Sequence, residues 1–425
     1  MQKGLAMPDT TPTAVTRPGG GRAATWLAVF GPGIVVMLAD TDVGSLVTAG
    51  QSGAQWGYRL LLLQFLLMPI LYITQELTVR LGIYTGKGHG ELICQTFGRF
   101  WGWVSAAGLA VATGGALLSE FSGVAAVGDL YDIPRAISLS LAAIALIAVV
   151  LTGSYRRVER LAIAIGLFEL AFFGVAYYAH PSIATMAHDA VNIPFANKDY
   201  LYLCAANIGA VIMPWMVFYQ QSAIADKGLR PRHLTAARAD TAVGAVITQL
   251  VMAAALVACA AVIAGGKGKV SLDTVGDMAA ALTPMLGAAT GKAIFSLGVL
   301  GAGMVAAIVA SLALAWGVGE VAGYARSLEL PPRRAYWFYG VYAVCIAGGA
   351  AIIGVAPDLV NLNVGIQVMN ALLLPLVLGF LVALSIKSLP PAVRLRGVYR
   401  WVVIIVLTIT TVLGVYGGFS GAGLI

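Results

Sequence analysis

Runs of about twenty apolar residues recur from one end of this chain to the other. At 1.5 Å per residue each is long enough to cross about 30 Å of hydrocarbon. Only 11% of the 425 residues are charged, against roughly 25% in a soluble domain. A water-soluble fold has too little interior to hide so much apolar surface, so the chain is read as an integral membrane protein. The runs fall near 25–50, 57–80, 103–128, 136–154, 160–180, 200–223, 240–265, 292–322, 335–355, 361–386 and 400–420. These make eleven spans in one membrane domain, 25–425, preceded by a Pro-, Thr- and Gly-rich stretch, 1–24, expected to be a disordered cytoplasmic tail. The tail lacks the basic, apolar and cleavage-site order of a signal peptide.

The net charge of +7 does not point to nucleic acid, because the basic residues are scattered through short loops. Their distribution is topological instead. With the N-terminus cytoplasmic, 20 of the 26 Lys and Arg lie on the inner side. Arg156, Arg157 and Arg160 follow span 4, Lys227, Arg230, Arg232 and Arg238 follow span 6, and Lys387, Arg394, Arg396 and Arg400 follow span 10. That bias predicts N-in and C-out. The four cysteines, Cys94, Cys204, Cys259 and Cys345, sit in or near apolar stretches without CxxC spacing and suggest neither disulfides nor a zinc site. Nothing resembles a catalytic triad or a phosphate loop, so an enzyme is not expected and no cofactor is called for.

Two spans carry interruptions. The first contains Ala39–Asp40–Thr41–Asp42–Val43–Gly44–Ser45, and the sixth contains Asn207 through Met213–Pro214. Pro214 removes a backbone donor and crowds the preceding turn, at about 3 kcal/mol in a regular helix. Either break alone reads as an ordinary kink. The matched pair, five spans apart, is the pattern of a transporter built from two inverted five-helix repeats. Such breaks persist at membrane depth where freed carbonyls line a cavity or bind an ion.

A carboxylate at the bilayer centre costs at least about 2.5 kcal/mol, and span 1 holds two, Asp40 and Asp42. Span 6 offers no Lys or Arg to neutralise them. A bound cation is the natural partner, completed by backbone carbonyls and side-chain oxygens, with Thr41 and Ser45 supplying hydroxyls. Asp42, followed by Val–Gly–Ser, is the principal expected ligand. Asp40 is open between ligand, helix cap and a hydrogen-bonding group behind the ligands. Glu120 and Glu320, flanked by small residues, are candidates to line a pathway. Glu76 and Glu169 lie nearer helix ends and read as structural, Glu76 paired with Arg80. Asn363 and Gln367, at i and i+4 on one helix face, either join the site or tie helices together. Met213 is core filling or a thioether ligand favouring Mn over Mg.

These motifs together resemble the NRAMP family of divalent-metal transporters. Gly31–Pro32–Gly33, Asp42 through Ser45, and Gly53–Ala54–Gln55–Trp56–Gly57–Tyr58 are similar to the family's GPG, Asp-Pro-Gly-Asn and GAQYGY. Leu81–Gly82–Ile83–Tyr84–Thr85–Gly86 looks like its LGIATG. Tyr155–Arg156–Arg157–Val158–Glu159 resembles its YRRLE, and Leu373–Leu374–Pro375–Leu376 its tenth-helix IPL. The likeness covers roughly residues 28–420 and implies a LeuT-like 5+5 inverted repeat, about 25–180 and 200–386, with an extra helix at 400–420.

The departures are specific. Val43 and Ser45 replace the family's proline and asparagine, and Trp215 replaces the histidine of its Met-Pro-His. Gln220–Gln221 stand near a second missing histidine, Leu117 replaces an aspartate before Glu120, and Trp316 through Glu320 replaces a glutamine region. Those histidines are linked to proton transport, and spans 1 and 6 contain none. The set is similar to a divergent prokaryotic branch, the NRAMP-related magnesium transporters, associated with Mg2+ and Mn2+ uptake apparently without proton coupling. Met213 matches the family's methionine in one alignment and Ile212 in another anchored on Ser222–Ala223. The resemblance therefore implies a metal site of Asp42, Asp40, Thr41, Ser45, the Ala210 carbonyl, Met213, Asn363 and Gln367. Glu120, Glu320 and Trp215 stand at pathway or coupling positions. The expected partners are a divalent cation as substrate and the lipid of a prokaryotic inner membrane, with the monomer as the working unit. A proton-coupled Mn2+/Fe2+ symporter and a sodium-coupled amino-acid transporter are the alternative readings.

Overall fold

The computed structural model describes residues 31–263, 272, 275–286, 288–355 and 360–424. The expected tail, 1–24, lies outside the described residues. In chain order the helices are α1 (Pro32–Asp40), α2 (Val43–Trp56), α3 (Leu61–Thr85), α4 (His89–Phe97), α5 (Arg99–Leu130) and α6 (Arg135–Leu151). Next come α7 (Tyr155–Gly166), α8 (Ala171–Tyr178), α9 (Ile183–Val191), α10 (Lys198–Val211), α11 (Pro214–Asp226) and α12 (Leu234–Ile263). The chain ends with α13 (Val275–Leu286), α14 (Ala288–Ala322), α15 (Tyr336–Val355), α16 (Val360–Lys387) and α17 (Gly397–Gly421). Among the described residues no strand occurs.

All eleven expected spans have a helical counterpart. Nine are long and apolar enough to cross a membrane as they stand, counting α7–α8 and α10–α11 as single segments. A tenth is the pair α1–α2, bent by 47°. The eleventh is α6, with 17 residues, at the short end of what spans hydrocarbon. Hydropathy does not foresee the short helices α4, α9 and α13, which join spans and, at 9, 9 and 12 residues, are too short to register as spans.

The breaks fall where the sequence places them. The first helix stops at Asp40 and restarts at Val43. The other stops at Val211 and restarts with Pro214 as the first residue of α11, the helical position that tolerates proline best. Span 5 is also interrupted, by the 3-10 turn Leu167–Leu170, which follows directly on Gly166.

Buried charges away from the breaks are compensated. The Glu76 carboxylate receives Arg80 at 2.7 Å and Arg238 at 2.6 Å, as the Arg80 pairing predicts. Glu159 is held by Lys227 at 2.7 Å. Asp240 accepts the Gly33 N–H at 2.8 Å and the Gly31 N–H at 3.2 Å, stabilised by the positive end of the α1 dipole. Gly31 has φ +145°, and the Glu159 carboxylate occupies the place a Cβ would take, so only glycine fits there.

Two stability tests follow from these contacts. Replacing Glu76 with Gln leaves the buried Arg80 without its counter-charge and should cost about 3 kcal/mol, read as a fall in melting temperature in detergent. His89, fully buried at the start of α4, has Nδ1 2.9 Å from the Gln221 oxygen, and burial pushes its pKa from 6.5 down to about 4. The neutral ring contributes fully above pH 6.5, and its contribution is lost as pH falls toward 4, because the released ring takes up a proton first. At pH 5 the loss is on the order of 2 kcal/mol, so wild type should lose more melting temperature between pH 7 and 5 than His89→Gln.

Candidate metal centre

The site grows from the start of α2. A helix beginning inside the membrane exposes amide groups with no partner one turn back, and carboxylates take them. Asp42 caps the helix, its Oδ1 accepting the Ser45 N–H at 2.6 Å. Glu120, from the middle of α5, accepts the Val43 N–H through Oε2 at 3.1 Å. Both carboxylates are at most 1% exposed, and each keeps one oxygen, Oδ2 of Asp42 and Oε1 of Glu120, with no hydrogen-bond partner. The N-terminal dipole of α2 favours this negative charge, yet two free carboxylate oxygens remain.

The second break adds neutral oxygens. Pro214 has no N–H to offer the Ala210 carbonyl four residues earlier, and the Ser45 hydroxyl donates to that carbonyl instead, at 3.0 Å. Ala210 and Ser45 thus meet across the two broken spans, as expected of both. Met213 and Ile212 occupy the junction itself, both buried. Trp215, in the first turn of α11, is buried with its indole N–H unpartnered.

From α16, the Gln367 amide nitrogen reaches Asp42 Oδ1 at 3.5 Å, and Asn370 donates to the Gln367 oxygen at 2.9 Å. Asn363 donates to the Ser122 hydroxyl at 3.4 Å, leaving its own oxygen free. Gly44 is the residue that lets α16 approach, since a Cβ there would overlap the Gln367 amide and lie 2.7 Å from the Ser119 hydroxyl. Sequence reasoning marks Gly44 only as part of the break and misses both its part in helix approach and Ser119, because close approach between distant helices leaves no local signal.

Four side chains named from the sequence take specific places. The capping role weighed for Asp40 belongs to Asp42. Asp40 ends α1, at the negative pole of that helix, where a carboxylate is disfavoured, and both its oxygens lack partners. Thr41 directs its hydroxyl to that of Thr248 rather than to Asp42. Glu320 does not join the break: it accepts the Gly90 N–H at 2.8 Å and the Ser222 hydroxyl at 2.6 Å. It fastens the start of α4 to α11 and α14. Glu169, read as structural, lies buried in the 3-10 turn of span 5 with neither oxygen hydrogen-bonded.

Among the described residues no group of three or more His, Cys, Asp or Glu side chains converges tightly enough to hold a metal by itself. The donors around Asp42 Oδ2 are instead one carboxylate, its neighbour Glu120, and neutral amide, hydroxyl and carbonyl oxygens. Such a set suits an ion that must be released again.

Comparisons with known proteins bear on the family and the fold. Residues 33–420 match the family model described as natural resistance-associated macrophage protein-like. The chain is 30% identical over 317 residues to the divalent metal cation transporter MntH of Chromohalobacter salexigens, covering 70% of this chain and 72% of that one. It is 27% identical over 413 residues to the protein of the same description from Burkholderia ambifaria, covering 91% and 90%. The Eremococcus coleocola manganese transporter shares the fold with a TM-score of 0.74 at 18% identity, covering 99% of this chain and 92% of that one. A Na+-coupled sialic acid symporter shares it more distantly, with a TM-score of 0.60 at 14% identity. The chain belongs to the Nramp family of multi-pass membrane transporters.

Proposed function

We propose that this protein imports Mg2+ and/or Mn2+ into a prokaryotic cell by alternating access across the plasma membrane, without coupling to protons. The observation that carries the reading is Asp42 Oδ2, a fully buried carboxylate oxygen at a helix break with no protein partner. Its neighbours are uncharged oxygens and a second carboxylate rather than Lys or Arg. The MntH relatives are divalent metal cation transporters, which supports the substrate class. Asp42 is the principal ligand, with the oxygens of Gln367 and Asn363 and the Ala210 carbonyl completing the shell beside Ser45. Met213 is the single thioether at the junction. A mainly oxygen set favours a hard ion.

With the N-terminus cytoplasmic, the negative-inside potential pulls the cation inward at about 2.3 kcal/mol per charge per 100 mV. A divalent ion therefore needs no proton gradient to accumulate. Spans 1 and 6 contain no histidine, which removes the side chain best suited to carry a proton near neutral pH. The working unit is the monomer, since both breaks and α16 come from one chain.

In reconstituted vesicles Asp42→Ala should abolish Mn2+ and Mg2+ uptake while leaving the protein folded, and uptake at the wild-type rate would refute the assignment. An internal pH dye should stay unchanged during Mn2+ uptake; acidification that tracks the metal would establish a proton-coupled symporter instead. Gly44→Ala should push Gln367 off Asp42 and weaken Mn2+ binding about tenfold, roughly 1.4 kcal/mol, measured by calorimetric titration.

A further inference from the structure

Four buried carboxylates gather around the break in span 1: Asp40, Asp42, Glu120 and Glu169. Elsewhere the buried acids have partners in the protein, Glu76 with two arginines, Glu159 with Lys227, Asp240 and Glu320 with backbone amides. Around the break, no ion pair forms to any of the four among the described residues.

Asp40 and Glu169 are the two that the proposed transport site does not use. They are brought together by the packing of α1 along span 5, which keeps a constant register. Gly31 lies against Glu159 and Leu38 against Gly166 one stretch further on, and the same register carried three residues further puts Glu169 level with Thr41. The 3-10 turn Leu167–Leu170 presents Glu169 at that level; short 3-10 stretches inside a helix often mark functional positions. Asp40 is 1% exposed and Glu169 0%, and all four of their oxygens lack a hydrogen-bond donor. The hydroxyls of Thr41 and Thr248 bond each other beside them, and each retains lone-pair capacity to accept from or coordinate a further group.

A charge in such surroundings is costly unless paired. One divalent ion held by Asp42 and Glu120 balances two of the four carboxylates and leaves Asp40 and Glu169 unbalanced. We propose that Asp40 and Glu169, with the hydroxyls of Thr41 and Thr248, form a second cation site, separate from the Asp42 site and selective for a hard divalent ion. The donors are all oxygen, with no thioether or imidazole among them, which suits Mg2+, Ca2+ or Mn2+. Two carboxylates match a divalent charge, whereas a monovalent ion leaves one negative charge buried. The inference rests on the proposed metal-transport reading for the ion at Asp42.

The test is metal content after equilibrium dialysis of the purified full chain against saturating Mn2+. Wild type should hold two ions, and Glu169→Gln and Asp40→Asn one each. Asp42→Ala should also hold one, but without uptake in vesicles. A single ion in wild type overturns the second site whether or not the variants fold. Two ions retained in Glu169→Gln, or both lost in Asp42→Ala, overturn it equally. Failure of the transport reading has a different signature, undiminished uptake in Asp42→Ala, so the two outcomes are distinguishable.

Discussion

The arrangement at the centre of this protein depends on one constraint: a helix that begins inside the membrane must find partners for its first amides. In α2 those partners are carboxylates, Asp42 on Ser45 and Glu120 on Val43. Water would serve the same amides at a surface, and at membrane depth it is scarce. Using acids for the purpose fixes two negative groups in one place and leaves one oxygen of each unsatisfied. The cap and the candidate ligand are therefore the same side chain. A substitution that removes the charge also loosens the start of the helix, so the site and the break are not independent features.

The remaining geometry follows from small residues and one proline. Pro214 frees the Ala210 carbonyl, and Ser45 crosses from the other broken span to meet it. Gly44 admits the Gln367 amide, and Gly209 lets the backbone of α16 lie against α10, where a Cβ would overlap the Gln367 carbonyl. Three helices thus converge on one point through glycine contacts that no larger residue permits, a common mode of packing where helices in lipid approach closely. The polar side chains that reach the point are then held by one another, as in the pair Asn370 and Gln367.

Much of this was legible from the sequence because the membrane imposes simple rules. Every span has an apolar run of the required length, and the break at Pro214 follows from a missing N–H. The break at Asp40–Asp42 follows from charges that hydrocarbon does not tolerate. What the sequence concealed depends on contacts between distant segments. Glu320, flanked by Gly and Val, shows no sign in the sequence that Gly90 and Ser222 donate to its oxygens. Glu169 sits among Leu, Phe and Ala behind a single glycine, Gly166, which is too common in these helices to announce a 3-10 turn, and the level of Glu169 beside Thr41 depends on helix packing that has no local signature. Asp40 and Asp42 differ by two positions, and which one caps α2 is decided by where the helix restarts.

The first span is held at two levels by the same device. At the break, carboxylates occupy the amides that open α2. One helix earlier, Asp240 from α12 occupies those that open α1, at Gly31 and Gly33. Both halves of the span pack along α12, and the carboxylates that reach across to their opening amides come from different helices, Asp240 of α12 for α1 and Glu120 of α5 for α2. Each attachment is a small set of hydrogen bonds to a charged group, strong in a dry interior and replaceable by water once the end is exposed. The hinge between the halves, Thr41 and Asp42, lies where the candidate ion would bind. A cation there draws Asp42 and the carbonyl and amide oxygens of the other helices toward one centre, so binding and the relative position of the two halves are coupled through the ligand set itself.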